Sequence, residues 1–272
     1  MSAQHDSKIY KEELLDLLRR VDITFRKKGI RYFAVYGTCL GAVREGGIIP
    51  WDDDVDIAVW RGDFSRALQV LNDSDLQIFA GDRHTVPGCP SRCGRIFNRI
   101  KSDTGIERKR AYLDLHIIDY APKSKFHFLW DVLWYVGIIR IVERRNHVVS
   151  NAHAWLYAVA DVMAFPFRVC SSRVLNDLAD WIYCYRRQTP FVKITFDGNR
   201  KRYASVDFSE IKDFPFGGMQ ISVPKGYEGY LTKCYGDWRT PPSLSERKSH
   251  AFDSTGNTWT VQCPDENVRQ EK

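Results

Sequence analysis

The sequence predicts an α+β fold: a small mixed-sheet core flanked by helices, with a helical insertion ahead of a closing C-terminal segment. Three observations predict it. Apolar runs of strand length occur at 31–36, 54–60 and 111–120. A stripe of Ile9, Leu14, Leu17, Leu18, Val21 and Phe25 precedes them, at the three- and four-residue spacing of one helix face. Two aromatic, apolar runs, 126–142 and 152–169, follow them. With 272 residues and 44% apolar content, the chain is long and apolar enough to bury a sizeable core.

The elements follow in order. Residues 7–28 form the first helix, capped by Asp6 or Ser7 and stopped by Gly29. Arg31–Tyr36 is a strand, Cys39–Arg44 a short helix and 54–60 a second strand. Arg61–Asn72 is a helix with Phe64, Leu68 and Leu71 inward. Leu76–Ala80, Arg95–Lys101 and Ala111–Tyr120 are further strands, and 81–94 is a Gly- and Pro-rich loop. Ser171–Arg187 is a helix capped by Ser171 or Ser172. Phe191–Phe208 is a hairpin turning at Asp197-Gly198-Asn199, and Met219–Val223 is a strand ending at Pro224. Tyr227–Tyr235 is a helix stopped by Gly236, and the tail beyond Pro242 is polar. These elements divide into a catalytic core (1–120), a helical, aromatic insertion (121–205) and a closing segment with a polar tail (206–272).

The chemistry concentrates between Gly37 and Ile57. Asp52, Asp53, Asp54 and Asp56 put four carboxylates into five positions. Like charges at this spacing persist when they are wet or when cations neutralise them. From Asp54 onward the pattern alternates, with Asp54, Asp56 and Ala58 on one side and Val55, Ile57 and Val59 on the other. That period reads as a strand with its acidic side facing a cleft. Carboxylates at i and i+2 on one strand face can share a hard divalent cation such as Mg²⁺ or Mn²⁺. An EF-hand is a poor match, since Ile57 stands where the sixth position needs Gly and Asp63 where the twelfth needs Glu. A solvated acidic turn is the bland alternative.

Upstream, Gly37 and Thr38 follow a strand and open a helix, a geometry that presents free N–H groups to phosphate oxygens. Downstream, Asp114 lies inside the apolar run Tyr112–Tyr120, where a lone carboxylate needs a partner or a cation. Asp119 at the end of that run reads as a strand-exit residue. Arg92, Arg95, Arg99, Lys101, Arg108, Lys109 and Arg110 form a basic connection suited to a diphosphate, or simply a solvated edge.

Charge and cysteine content narrow the partners. The net charge of +6 suits an anionic partner such as a nucleotide, a phosphorylated glycan or an acidic membrane surface, and is too dispersed for nucleic acid. Seven cysteines without framework spacing, and a polar N-terminus, read as reduced thiols in a cytoplasmic protein. His84, Cys89 and Cys93 could supply three zinc ligands but lack a fourth. Neither aromatic run is a clean spanning helix, since Asp131 and Arg140 interrupt the first and Asp161 and Pro166 the second. They read either as a membrane-interface hairpin, with Arg140, Arg144, Arg145 and His147 against anionic lipid, or as a helical unit packed on the core or on a second subunit.

A small-residue turn, a strand with paired aspartates and a third carboxylate on a neighbouring strand together resemble the nucleotidyltransferase superfamily, to which DNA polymerase β belongs. The runs Gly37-Thr-x-Leu-Gly-Ala-Val-Arg44 and Ile49-Pro-Trp-Asp-x-Asp-Val-Asp-Ile57 resemble the LicD family of phosphotransferases, which includes the fukutin-like proteins. Val223–Trp238, Pro241-Pro242 and His250 are similar to that family's closing segment. The resemblance covers roughly 10–120 and 210–250, and the middle of the chain is not diagnostic. It implies a nucleotidyltransferase-like mixed-sheet core. It also implies metal-dependent transfer of a substituted phosphate, phosphocholine or a polyol phosphate, from a CDP-linked donor to a glycan hydroxyl, with CMP leaving. Asp54, Asp56 and Asp114 would be the catalytic and metal-binding residues, with two Mg²⁺ or Mn²⁺ ions. Asp52 would support them. Gly37, Thr38, Arg44, Arg99 and Lys101 would contact donor phosphates. Trp51 would stack on a base, face a quaternary ammonium or simply pack. Arg247 and His250 would close over the donor. Two rivals are a nucleotide-sugar glycosyltransferase with an Asp-x-Asp metal site and a non-catalytic scaffold. The transferred group, the acceptor glycan and the oligomeric state are not legible.

Overall fold

The computed structural model describes residues 3–74, 78–82, 93–98, 111–145, 154–194, 201–243, 245 and 247. The first helix, α1 (Ala3–Lys27), buries Tyr10, Leu14, Leu17, Leu18, Val21 and Phe25. Ile9, expected on this stripe, is 39% exposed, and Tyr10 takes its place. The stripe ends where Gly29 adopts φ 65° and Ile30 N–H donates to the Phe25 carbonyl, which turns the chain into β1 (Tyr32–Ala34). Only glycine enters that backbone region without cost.

The short helix α2 (Tyr36–Arg44) leads to β2 (Asp56–Trp60), and α3 (Arg61–Asn72) follows at once. β3 (Ile78–Gly81), β4 (Gly94–Asn98) and β5 (Tyr112–Tyr120) complete the first half. The sheet order is β1-β2-β5-β4-β3. β1 runs antiparallel to β2, and β2 runs parallel to β5. A parallel pair cannot close through a tight turn, and here α3, β3 and β4 form the crossover. Ile57, Ala58 and Val59 are all fully buried. Both faces of β2 are therefore covered, and the expected split into an apolar side and an open acidic side does not hold along the strand. Asp54 also lies outside β2, in the extended segment before it.

The second half begins with α4 (Lys125–Arg145), α5 (Ala154–Ala164), a 3₁₀ turn at Phe165–Val169 and α6 (Ser172–Tyr183). The Ser171 hydroxyl accepts the Val174 N–H and caps α6. These helices share their own core of Tyr135, Ile138, Ile139, Leu175, Ala179 and Tyr183. A Cβ at Gly137 would strike the Ala160 carbonyl, so α4 and α5 cross at closest approach there. The chain then returns to the sheet. β6 (Phe191–Ile194) pairs β5, and β7 (Tyr203–Ala204) pairs β6. The expected hairpin is present as this pair; its turn, like the zinc candidates His84 and Cys89, lies outside the described residues.

One hairpin was not anticipated. β8 (Ile211–Phe216) pairs β9 (Met219–Pro224) across Gly217-Gly218, both at positive φ. Paired glycines between strands are a strong two-residue hairpin signal. Polar, mostly exposed residues in β8 and Pro215 obscured it. Arg26 of α1 clamps this hairpin through Asp213 and Ser222, while Tyr32 Oη donates to Asp22 at 2.7 Å. The last helix, α7 (Tyr227–Tyr235), stops at Gly236, which has φ 73°.

Candidate active site

The site forms at the N-terminal ends of the parallel pair β2 and β5. Their register sets Asp56 directly beside Asp114. Neighbouring strands lie about 4.8 Å apart, so these two carboxylates start from adjacent backbone positions on one face. Asp114 N–H donates to the Val55 carbonyl at 3.0 Å, which extends the ladder back toward Asp54.

The upstream motif holds this arrangement from above. Thr38 is buried, and its hydroxyl accepts the Asp56 N–H at 2.8 Å. That bond occupies an acceptor position of the hydroxyl and leaves its O–H as the group that would donate to a phosphate oxygen. Gly37 lies against the Asp52 carboxylate, which a Cβ there would push aside. Tyr36 begins α2 at φ 47°, an uncommon conformation for a non-glycine residue. Its N–H donates to Tyr230 Oη at 2.9 Å, and its ring meets His116 edge-on at 5.4 Å. The first-turn amides of Gly37 and Thr38 lack intrahelical acceptors by helix geometry.

Burial and crowding set the electrostatics. Burial pushes the Asp54 carboxyl far above the usual carboxylate range, and Asp56, Asp52 and Asp114 push it further. Burial also raises Asp114, although the Arg95 guanidinium opposes it. Asp53 is buried in the same run. Lys11 of α1 reaches this loop, donating to the carbonyls of Ile49 at 3.2 Å and Pro50 at 2.8 Å. Its amine is lowered by burial, against the pull of Asp52 and Asp53. Burial and nearby acids likewise raise the phenol of Tyr10.

Three residues that contact the acidic segment carry no specific signal in the sequence. Arg95 Nε donates to Asp114 Oδ1 at 3.1 Å, and its guanidinium lies 4.4 Å from the Tyr112 ring centroid. Arg95 was noted only as one of several basic residues. His116 Nε2 lies 2.9 Å from Asp56 Oδ1 and is 4% exposed. Its signal was its place two residues after Asp114, on the same strand face. Lys11 carried no signal, because it comes from a helix far away in sequence. Asp119 also departs from expectation. It lies within β5, is buried, and accepts a two-pronged bond from Arg61 at 2.6 and 2.5 Å.

The remaining expected contacts are redistributed. Arg44 binds Glu45 at 2.7 Å and the Trp238 carbonyl at 3.0 Å rather than any acid of the 52–56 run. It thereby ties the motif to the closing segment. The Trp51 ring faces two guanidiniums, Arg44 at 5.9 Å and Arg247 at 4.2 Å. Arg247, expected to close over the donor, lies against the Trp51 ring. Arg99, Lys101 and His250 lie outside the described residues.

The donor set suits a divalent cation in its chemistry. Buried, mutually repelling carboxylate oxygens are hard ligands whose charge such an ion would offset. The set is not preassembled. Among the described residues, no three His, Cys, Asp or Glu side chains are arranged to hold a metal ion. Arg95 and His116 instead occupy oxygens of Asp114 and Asp56.

Comparison with known proteins places the same region in a family context. Residues 29–136 match the family described as LicD/FKTN/FKRP, nucleotidyltransferase domain. That span holds β1 to β5 and every acid of the site. The chain is 22% identical over 248 residues to the lipopolysaccharide cholinephosphotransferase LicD of Haemophilus influenzae, covering 81% of this chain and 86% of that protein. It is 31% identical over 119 residues to the uncharacterized protein RP689 of Rickettsia prowazekii, covering 43% of this chain and 42% of that protein.

Proposed function

Because this chain belongs to the LicD family over residues 29–136, we propose that it is a phosphotransferase. In this reading it moves a substituted phosphate, phosphocholine or a polyol phosphate, from a CDP-linked donor to a hydroxyl of a cell-surface glycan such as lipopolysaccharide, and CMP leaves. The observation that carries the reading is the register of β2 and β5, which sets Asp56 beside Asp114 with Asp54 two residues upstream. A nucleotidyltransferase-like core, with the acids at the ends of adjacent strands, is part of the same proposal.

Asp54, Asp56 and Asp114 would hold Mg²⁺ or Mn²⁺, which when bound supplies charge stabilisation to the diphosphate and activates the acceptor hydroxyl. His116 fixes the orientation of Asp56 through the bond at 2.9 Å. Arg95 brings a guanidinium into the same site. Its Nη1 is buried without a hydrogen-bond partner among the described residues, and a phosphate oxygen would satisfy that N–H. Asp52 and Thr38 act on position. One packs against Gly37 and the other holds the Asp56 backbone. A quaternary ammonium reaching Trp51 would have to displace Arg247 from the ring.

A donor panel tests this. Purified protein with Mg²⁺ or Mn²⁺ is incubated with CDP-choline, CDP-ribitol, CDP-glycerol, and UDP- and GDP-sugars, in the presence of lipopolysaccharide. Metal-dependent CMP release from one CDP donor is the expected result and names the donor. Release of UDP or GDP would place the protein among glycosyltransferases instead.

A further inference from the structure

The helical unit exposes an aromatic strip that the catalytic site does not use. On α4, Phe126 stacks on Trp130 at 6.3 Å, Trp130 meets Trp134 at 6.2 Å, and Trp134 meets Phe167 of the 3₁₀ turn at 6.0 Å. The spacing of 126, 130 and 134 sets these rings on one helix face. Phe126 is 77% exposed, Trp130 47% and Leu129 48%. Beside Phe167, on α5 and the 3₁₀ turn, Phe165, Val162 and Val169 are also exposed, at 61%, 75% and 92%. A chain of touching, partly exposed rings with further exposed apolar side chains on the next elements marks a contact surface.

Charge selects the occupant. Lys125 and Arg168 are exposed along the strip, and Arg168 lies 4.9 Å from the Phe165 ring. Arg173, Arg186 and Arg187 are exposed on and just after α6. Of the described acids on α4 and α5, Asp131 is buried and Asp161 pairs with Arg140 at 3.1 Å, while Asp177 on α6 is exposed among Arg173, Arg186 and Arg187. Trp and Phe rings with Arg and Lys at their margin suit a headgroup region carrying negative charge. An interface with a second copy would deplete charge from its core. No helix among the described residues is long and apolar enough to cross a membrane, so the contact would be peripheral.

We propose that the strip from Phe126 to Phe167, with Phe165 and Arg168, docks the protein on an anionic bilayer surface. This inference stands apart from the phosphotransfer reading, because none of its residues belongs to the acidic site.

Sedimentation with phosphatidylcholine vesicles, with and without phosphatidylglycerol, tests it on the full chain. Wild type is expected to bind the anionic vesicles and to lose binding as salt rises. Phe126→Ser/Trp130→Ser is expected to weaken binding about tenfold or more per ring removed. Lys125→Gln/Arg168→Gln should weaken binding to anionic vesicles, with the melting temperature unchanged. These side chains are solvent-exposed, so both variants should fold; if the aromatic pair does not, Phe126→Ser alone and the charge pair carry the test. Equal binding by wild type and variants, or no binding of wild type to either vesicle, overturns the proposal. So does a lipid-free dimer that Trp130→Ser converts to monomer, which would make the strip a protein interface.

Discussion

Asp54 is the residue whose behaviour distinguishes a functional acid from a structural one. Its carboxyl is raised by burial and by three neighbouring acids. A carboxyl raised in the folded state gives stability that is complete below the unfolded value, about 3.9, and is lost as pH rises. In chelator, the melting temperature should therefore fall steadily from about pH 5 to pH 9, and Mg²⁺ or Mn²⁺ should restore it at the alkaline end. Asp54→Asn removes the repelling charge. It should raise the metal-free melting temperature by about 2–4 °C, equivalent to roughly 1 kcal/mol at this size, while abolishing transfer. Scanning calorimetry across pH checks both outcomes; a variant less stable than wild type in chelator would show that Asp54 is a structural residue. The acids themselves were legible from spacing and strand character. Their partners Arg95, His116 and Lys11 were not, because each pairing is fixed by strand register or by a helix brought from far along the chain.

At the level of elements, α2 and β2 are joined by one side-chain bond. Thr38→Val keeps the shape and removes the acceptor for the Asp56 N–H. The buried N–H left without a partner should cost about 1–3 kcal/mol, read as a shift of the denaturation midpoint at constant slope. Because the bond fixes the acidic strand, kcat should fall more than KM rises. Gly37→Ala should lose most activity while staying folded, since the added methyl displaces the Asp52 carboxylate. The first three helices and five strands of the core were readable from periodicity alone: α1 begins at Ala3, ahead of the expected caps Asp6 and Ser7, and neither α2 nor α3 has a side-chain cap. α3 spans Arg61–Asn72 as expected, since a loop-free start and a polar stop leave no ambiguity. β8 was not read, because an exposed edge strand with Lys212, Asp213 and Pro215 lacks the apolar alternation that defines a strand in sequence.

At the scale of the whole molecule, buried charges join the sheet to the helical unit. Asp119 on β5 takes both prongs of Arg61, and Lys193 on β6 pairs with it in register. Lys193 lies 3.6 Å from the centroid of the Tyr183 ring of α6. Burial lowers its amine to about 8. The sign follows directly: the penalty of burying the ammonium is present below that value and disappears as pH rises toward the unfolded value of about 10.4. Lys193→Met should flatten this rise in stability between about pH 8 and 10. Asp119→Ala should cost about 2 kcal/mol, less than a fully buried pair would, because Arg61 keeps partial access to water. The sequence hid this cluster, as Asp119 reads as a strand exit and Lys193 carries no signal inside a short apolar strand.

The measurement that bears most directly on the central claim is transfer by residue-matched variants of the register pair. Wild type, Asp56→Asn, Asp114→Asn and the remote Asp213→Asn are compared for nucleotide release at saturating donor and divalent ion, with circular dichroism to confirm folding. The account predicts that Asp56→Asn and Asp114→Asn each lose about a thousandfold or more in kcat, as expected when a group acting mainly on the transition state is removed. Asp213→Asn should stay near wild type. Full activity in either of the paired variants would contradict the assignment of phosphotransfer to the ends of β2 and β5.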